Sequence, residues 1–238
     1  MRTVERTPDR ALVRDVVAIG AAVMAVGVSF GAIAVAAGIP AWAVLAMSVL
    51  VFAGGAQFMA VGLVAAGNPV AAVLAGLLLN ARHLPFGLAM GDAIGAGRGA
   101  RLLGSHLLID ESVAFTLAQT DAAQRRRAYW LTGGTLFVAW NIGGLIGMAL
   151  GGIAGDPAVY GLDAAFPAGL IALLLPSLRD RDTRHVALAG AAVAVVTTPL
   201  LPAGLPVLLA LTGLAVLALR PRRGRGSTQR LAEEGIPC

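Results

Sequence analysis

The sequence predicts an all-α polytopic integral membrane protein of about 6–8 transmembrane or re-entrant helices, with an internal repeat and a broken helix near residues 53–57. Three observations predict it. Of 238 residues, 58% are hydrophobic and only 13% charged, about half the charged share of an average soluble domain. Mean hydropathy is +0.81, and several apolar runs approach the roughly 20 residues that cross a ~30 Å hydrocarbon core as helix. The basic residues are all arginine, 18 of them against 13 acids, and they cluster at the borders of the apolar runs as the positive-inside rule expects.

That clustering also bounds the partners. A pI near 10.9 can signal nucleic-acid binding, but such binding needs basic residues spread over an accessible folded face. Arginines at run borders imply anionic membrane lipid instead, and no nucleic acid. The one cysteine, Cys238, permits no intramolecular disulfide. A signal peptide ending at Ala34-Val35-Ala36 is set aside, because the first run is longer than a usual signal core and further spanning runs follow.

Taken in order, residues 1–15 are polar and arginine-rich and read as a cytoplasmic tail or short interfacial helix. Val16–Ala37 is the first span and ends at the Gly38-Ile39-Pro40 turn. Trp42–Ala66 follows, interrupted at Ala53-Gly54-Gly55-Ala56-Gln57 and closed by Gly67-Asn68-Pro69. Val70–Met90 carries Asn80, Arg82 and His83 just before Pro85, whose missing N–H bends the helix there. Leu102–Thr120, with His106, Asp110 and Glu111, is too polar to face lipid. Arg125, Arg126 and Arg127 precede the clear span Tyr129–Ile153. Leu162–Leu178, Val186–Leu200 and Ala203–Leu219 complete residues 16–219 as a single transport domain, the last two reading as a hairpin. Residues 220–238 read as a disordered cytoplasmic tail.

Placing every arginine cluster on the cytoplasmic side requires an even number of crossings between clusters. Three runs lie between Arg14 and Arg98, so one fails to cross, and the Gly54-Gly55 segment is the candidate re-entrant or broken helix. By the same rule Leu102–Thr120 dips and returns; the alternative to both exceptions is that Arg98 and Arg101 lie outside. The repeat is carried by Gly27 and Gly31 before Gly38-Ile39-Pro40, matched by Gly143 and Gly147 before Gly155-Asp156-Pro157. Gly27/Gly31 and Gly143/Gly147/Gly151 are spaced for close helix packing, within the chain or between subunits.

The candidate site residues are Gly54, Gly55, Gln57, Phe58, Asn80, Arg82, His83, His106, Asp110 and Glu111. A helix unwound at Gly54-Gly55 leaves backbone groups that survive only beside protein or a water-filled cavity. A half-helix starting near Gln57 would aim its N–H groups at a carboxylate, and a glycine-lined packing kink is the alternative. Arg82 deep in an apolar run marks a pathway or an ion pair, or else snorkels from a helix end at His83. On one continuous helix Asn80 and His83 share a face and Arg82 points away. His106 and Asp110, four apart, share a face too, and with Glu111 they read as a proton relay, as the counter-charge to Arg82, or as the wet side of an interfacial helix. Asn141 beside Trp140 reads as an interhelical hydrogen bond. No enzyme is expected: there is no H-E-x-x-H, no pair of G-x-G-D motifs, no second glycine after Gly104-Ser105-His106, and no phosphate loop. No cofactor or metal is expected either.

Gly27-Val28-Ser29-Phe30-Gly31, Val51-Phe52-Ala53-Gly54-Gly55-Ala56-Gln57-Phe58, Leu79-Asn80-Ala81-Arg82-His83, and His106 with Asp110-Glu111 resemble, in order and spacing, the AzlC family of branched-chain amino acid permeases. The resemblance runs from about Val16 to Arg184. It implies the large subunit of a bacterial inner-membrane exporter of valine and related amino acids, working with a small AzlD-type membrane subunit. On that reading the Gly54–Gln57 half-helix and Arg82 take the substrate carboxylate, Asp110 and Glu111 its ammonium, and Phe58 with nearby aliphatics its side chain. Pro85-Phe86 after His83 departs from the family pattern. A secondary, proton-driven mechanism is expected, and a non-transporting membrane scaffold or assembly subunit, or a small-ion or proton channel, is the alternative.

Overall fold

The computed structural model describes residues 8–154, 177–201 and 205–215, with positions 161, 164, 171 and 175 between them. The described residues are helical or in turns, without strands. They fall into two units, residues 1–174 and 175–238. The run Leu162–Leu178 lies mostly outside the described residues, and the Gly155-Asp156-Pro157 turn and the tail 220–238 lie wholly outside them.

The first unit is built on two long helices, α1 (Pro8–Ala36) and one at Ala122–Ala154. Both are long and apolar enough to cross a membrane. They touch through glycine: Gly20 lies at Thr135, Gly27 at Trp140 and Gly143, Gly31 at Gly144 and Met148, Gly147 at Val28, and Gly151 at Ala32. Numbers rise together along both chains, so the two helices run parallel. The absence of side chains brings backbone against backbone, which is what small residues four apart permit. The glycine motifs therefore pack within the chain, α1 against the helix at Ala122–Ala154. Because α1 begins at Pro8, Arg10 and Arg14 ride on its opening turns, at the same end of the pair as Arg125–Arg127.

Between them come α2 (Ala41–Val51), α3 (Gly54–Ala65), α4 (Pro69–Asn80), α5 (His83–Ile94), α6 (Arg98–His106) and α7 (Asp110–Leu117), with Ala122–Ala154 as α8. At 1.5 Å per residue each of the six is about 12–18 Å long, roughly half a hydrocarbon core. Contacts give their directions. Gly87 of α5 faces Leu108, Ile94 packs on Gly104, and Gly95 meets the Arg126 guanidinium, so α5 runs toward the arginine end. α4 is bent from α5 by only 44° and comes from the opposite end, making α4–α5 one broken passage. α3 is antiparallel to α4: Gly55 meets Leu79, and Leu63 clusters with Ala72 and Ala75. Hence α2 enters from the far end, stops half-way at Phe52-Ala53, and α3 returns. From the arginine end α6 descends along α8, with Tyr129 bonded to the Gly104 carbonyl and Gly133 packed on Leu107, and α7 returns.

Parallel α1 and α8 require an odd number of net crossings between them. The broken passage supplies one, and the two half-depth hairpins supply none. Against the expectation of 6–8 transmembrane or re-entrant helices, the described residues hold two helices long and apolar enough to cross, α1 and α8, or three passages with α4–α5 counted as one, and the remaining short helices of this unit form the two half-length hairpins. In the second unit α9 (Arg181–Thr197) is capped by Asp180 and packs through Gly190 on α10 (Leu205–Leu209) and the 3-10 turn Ala210–Leu214. The hairpin expected there is present.

Candidate functional site

Three chain breaks meet at one level, near the middle of α8. Phe52, at the α2–α3 break, adopts a left-handed φ of 38° and sets its ring 5.0 Å from Phe137 and 6.3 Å from His106. His106 ends α6 and lies 5.5 Å from Phe137. The α4–α5 break, Ala81-Arg82, reaches the α6–α7 break through an ion pair, Arg82 Nη1 to Asp110 Oδ2 at 2.7 Å. Leu107 and Ile109, on the turn between α6 and α7, pack into the same core cluster as Phe52, Leu136 and Trp140.

These positions correct three expectations. The chain unwinds at Phe52-Ala53 and not at Gly54-Gly55, and the half-helix starts at Gly54 and not near Gln57: Gly54 is already helical, and the Gln57 N–H bonds the Ala53 carbonyl at 2.9 Å. Asn80 and His83 do not share one continuous helix, because α4 stops at Asn80, and a two-residue turn carries Arg82 to the ion pair. His106 and Asp110 do not share a helix either. The chain leaves α6 at Leu107, and Ser112 holds the break open, its hydroxyl oxygen accepting from the Ile109 N–H at 3.0 Å while bonding the Leu107 and Ile109 carbonyls.

The candidate residues sort into two neighbouring groups. Asn80, Arg82, His83, Asp110 and Glu111 surround the ion pair. His83 Nδ1 lies 2.9 Å from the Asn80 carbonyl oxygen and its ring is edge-on to Phe86, while Glu111 follows Asp110 in the first turn of α7. Gly54 and Phe58 belong with Phe30 and Trp140. The Trp140 indole covers Gly54 so closely that a Cβ there would lie 3.0 Å from the ring. Phe30 stacks on Trp140 at 5.4 Å and meets Phe58 edge-on at 5.6 Å. His106, through Phe52 and Phe137, stands between the groups. Gln57 turns away from both, donating from Nε2 to the Met47 carbonyl at 2.6 Å and so tying α3 back onto α2.

Several buried polar atoms near this level lack a hydrogen-bond partner: Asn80 Oδ1, Asp110 Oδ1, Gln57 Oε1 and Trp140 Nε1. A buried acceptor or donor left unpaired costs about 1–3 kcal/mol, so Asn80 Oδ1 and Asp110 Oδ1, beside the ion pair, are places for a polar ligand or water. Arg82 and Asp110 keep 39% and 43% of their side-chain surface accessible. Charges at that level are not tolerated against hydrocarbon, so the pair opens to water, ligand or another chain. Residues outside the predicted set complete the surroundings: Trp140 and Phe30 lie far apart in sequence, and Ser48 donates to Asn141 Oδ1 at 3.0 Å, linking α2 to α8.

A comparison with protein families matches residues 18–154, more than half of the chain, to the family described as AzlC protein. The chain belongs to the AzlC family. Every residue of the candidate site lies inside the matched segment. AzlC proteins are membrane transport proteins, not enzymes, and are associated with branched-chain amino acid transport. No curated relative and no solved structure matches this AzlC chain.

Proposed function

We propose that this AzlC protein is the large subunit of a secondary transporter that exports branched-chain amino acids such as valine across the bacterial inner membrane. The observation that carries the reading is the meeting of three interrupted helices at half depth around Arg82 and Asp110. A zwitterion with an aliphatic side chain needs both charges and an apolar wall in a place reachable from water, and discontinuous helices are how transporters build such places. The Arg82–Asp110 pair offers the charges, and the Phe30–Phe58–Trp140 group beside Gly54 offers the wall. One hairpin enters from each end, an arrangement suited to opening the same site to either side in turn. Proton-driven coupling through Glu111 or His106, and a small AzlD-type subunit as partner, belong to the same proposal.

The test is efflux of radiolabelled valine from preloaded cells producing the chain with and without the small subunit, with Arg82→Ala compared at matched membrane abundance. Saturable efflux that needs the partner and is lost in Arg82→Ala is expected. No efflux from a well-inserted wild-type pair would remove branched-chain export, while unchanged flux with lost partner recovery in the variant would favour a scaffold.

A further inference from the structure

The Arg82–Asp110 bridge is built to be divided. It uses one contact, Nη1 to Oδ2, although a guanidinium and a carboxylate bind most tightly as a two-bond fork. The second carboxylate oxygen, Oδ1, is buried and has no partner, and Asn80 Oδ1, two residues before Arg82, is in the same condition. Both charged groups remain accessible. They also belong to different pieces of the fold: Arg82 sits in the turn of the α4–α5 passage, and Asp110 opens α7 of the hairpin from the arginine end.

Resting on the reading that the site takes an aliphatic zwitterion, we infer that substrate binds by exchange of ion-pair partners. Its carboxylate replaces Asp110 on the Arg82 fork, and its ammonium replaces Arg82 on Asp110, reaching the orphaned Oδ1 and Asn80 Oδ1. The exchange keeps Arg82 and Asp110 each paired with an opposite charge before and after, so neither is left unpaired at half depth, where that would be most costly. The exchange also unfastens α7 from the α4–α5 turn, so that loading the site frees the hairpin on the arginine side. Arg82 and Asp110 are then specificity residues, each reading one end of the ligand.

The exchange predicts reciprocal selectivity. The full chain with its small subunit is reconstituted, and the rise in unfolding midpoint is followed with leucine, with 3-methylbutylamine (leucine without its carboxylate) and with 4-methylpentanoate (leucine without its ammonium). Wild type is expected to respond to leucine at concentrations at least about tenfold below either analogue. Arg82→Ala is expected to lose leucine and take the amine, and Asp110→Ala to lose leucine and take the acid. A double variant, Arg82→Asp with Asp110→Arg, keeps both charges and recovers leucine, which decides the matter if the single variants insert poorly. Single variants that keep leucine, or that lose it without gaining their matching analogue, overturn the exchange, as does a well-inserted double variant blind to leucine. A wild-type protein that responds to no hydrophobic amino acid removes the functional reading itself, and the exchange with it.

Discussion

Adding one methyl group at Gly147 destabilises this protein, and adding one at Gly76 does the opposite. A Cβ on Gly147 would overlap the Val28 carbonyl oxygen and lie 2.8 Å from its carbon and 2.9 Å from the Ala32 nitrogen, whereas ordinary contacts begin near 3.4 Å. The obstacle is helix backbone, which has no rotamer to change, and Gly143 on one side holds α1 almost as close, with Gly151 on the other at a slightly wider approach. Overpacking of this kind costs about 1–3 kcal/mol, and the backbone contact puts Gly147→Ala in the upper part, about 2–3 kcal/mol. At Gly76 nothing lies within 4 Å of an added Cβ, so alanine there only gains helix propensity, about 0.5–1 kcal/mol. The two variants should differ by roughly 3 kcal/mol in reversible unfolding from mixed micelles. Gly147→Ala as stable as wild type, or the two variants indistinguishable, would refute the packing of α1 on α8 described above.

Three further outcomes are expected. Tyr129→Phe removes the 2.7 Å bond to the Gly104 carbonyl and should loosen α6 by about 1 kcal/mol, seen as roughly fivefold faster amide exchange over residues 98–117 with α8 unaffected. Gly54→Val drives its branches into the Trp140 ring and should abolish efflux at normal abundance, while Gly54→Ala, whose Cβ meets the ring at 3.0 Å, should keep part of it; equal activity of the two contradicts the aromatic wall. Asp180 caps α9 by accepting from the Thr183 N–H and hydroxyl, both at 2.8 Å, and these bonds hold its carboxyl below the ordinary 3.8. A lowered folded value means the cap's stabilisation is complete above the unfolded value and is lost as pH falls through the folded one. The Thr183 amide resonance, followed down from about pH 6, should therefore move only below the ordinary carboxylate range, and Asp180→Asn should remove that step.

The glycine spacing of Gly27/Gly31 and Gly143/Gly147/Gly151 was enough to mark close packing, because only the absence of Cβ permits it. Their pairing with each other was not readable, since spacing on one helix says nothing about which helix faces it. The break beside Gly54 was legible to within two residues, and the cluster around Asn80, Arg82 and His83 was legible because charge in an apolar run is costly anywhere. The turn at Leu107-Leu108-Ile109 was hidden. It holds no glycine or proline, and the chain is stopped by the Ser112 hydroxyl and by packing against Gly133, neither of which has a strong local signature. Without that break, i, i+4 spacing alone puts His106 and Asp110 on one helical face. The aromatic wall was invisible for another reason: Phe30, Phe58 and Trp140 come from three helices up to 110 positions apart.

The parallel pairing of α1 with α8 sets a condition on how the molecule is made. Glycine-lined α1 leaves the ribosome before α8, and the helix that fits it is complete only when the chain reaches Ala154. At about 5–20 residues per second, the 118 positions from Ala36 to Ala154 take roughly 6–24 s to synthesise. During that time the bare groove of α1 is open to lipid, to the half-length hairpins already formed, or to an insertion chaperone. Assembly of this protein is therefore decided late, by whether α8 arrives to find that groove still vacant.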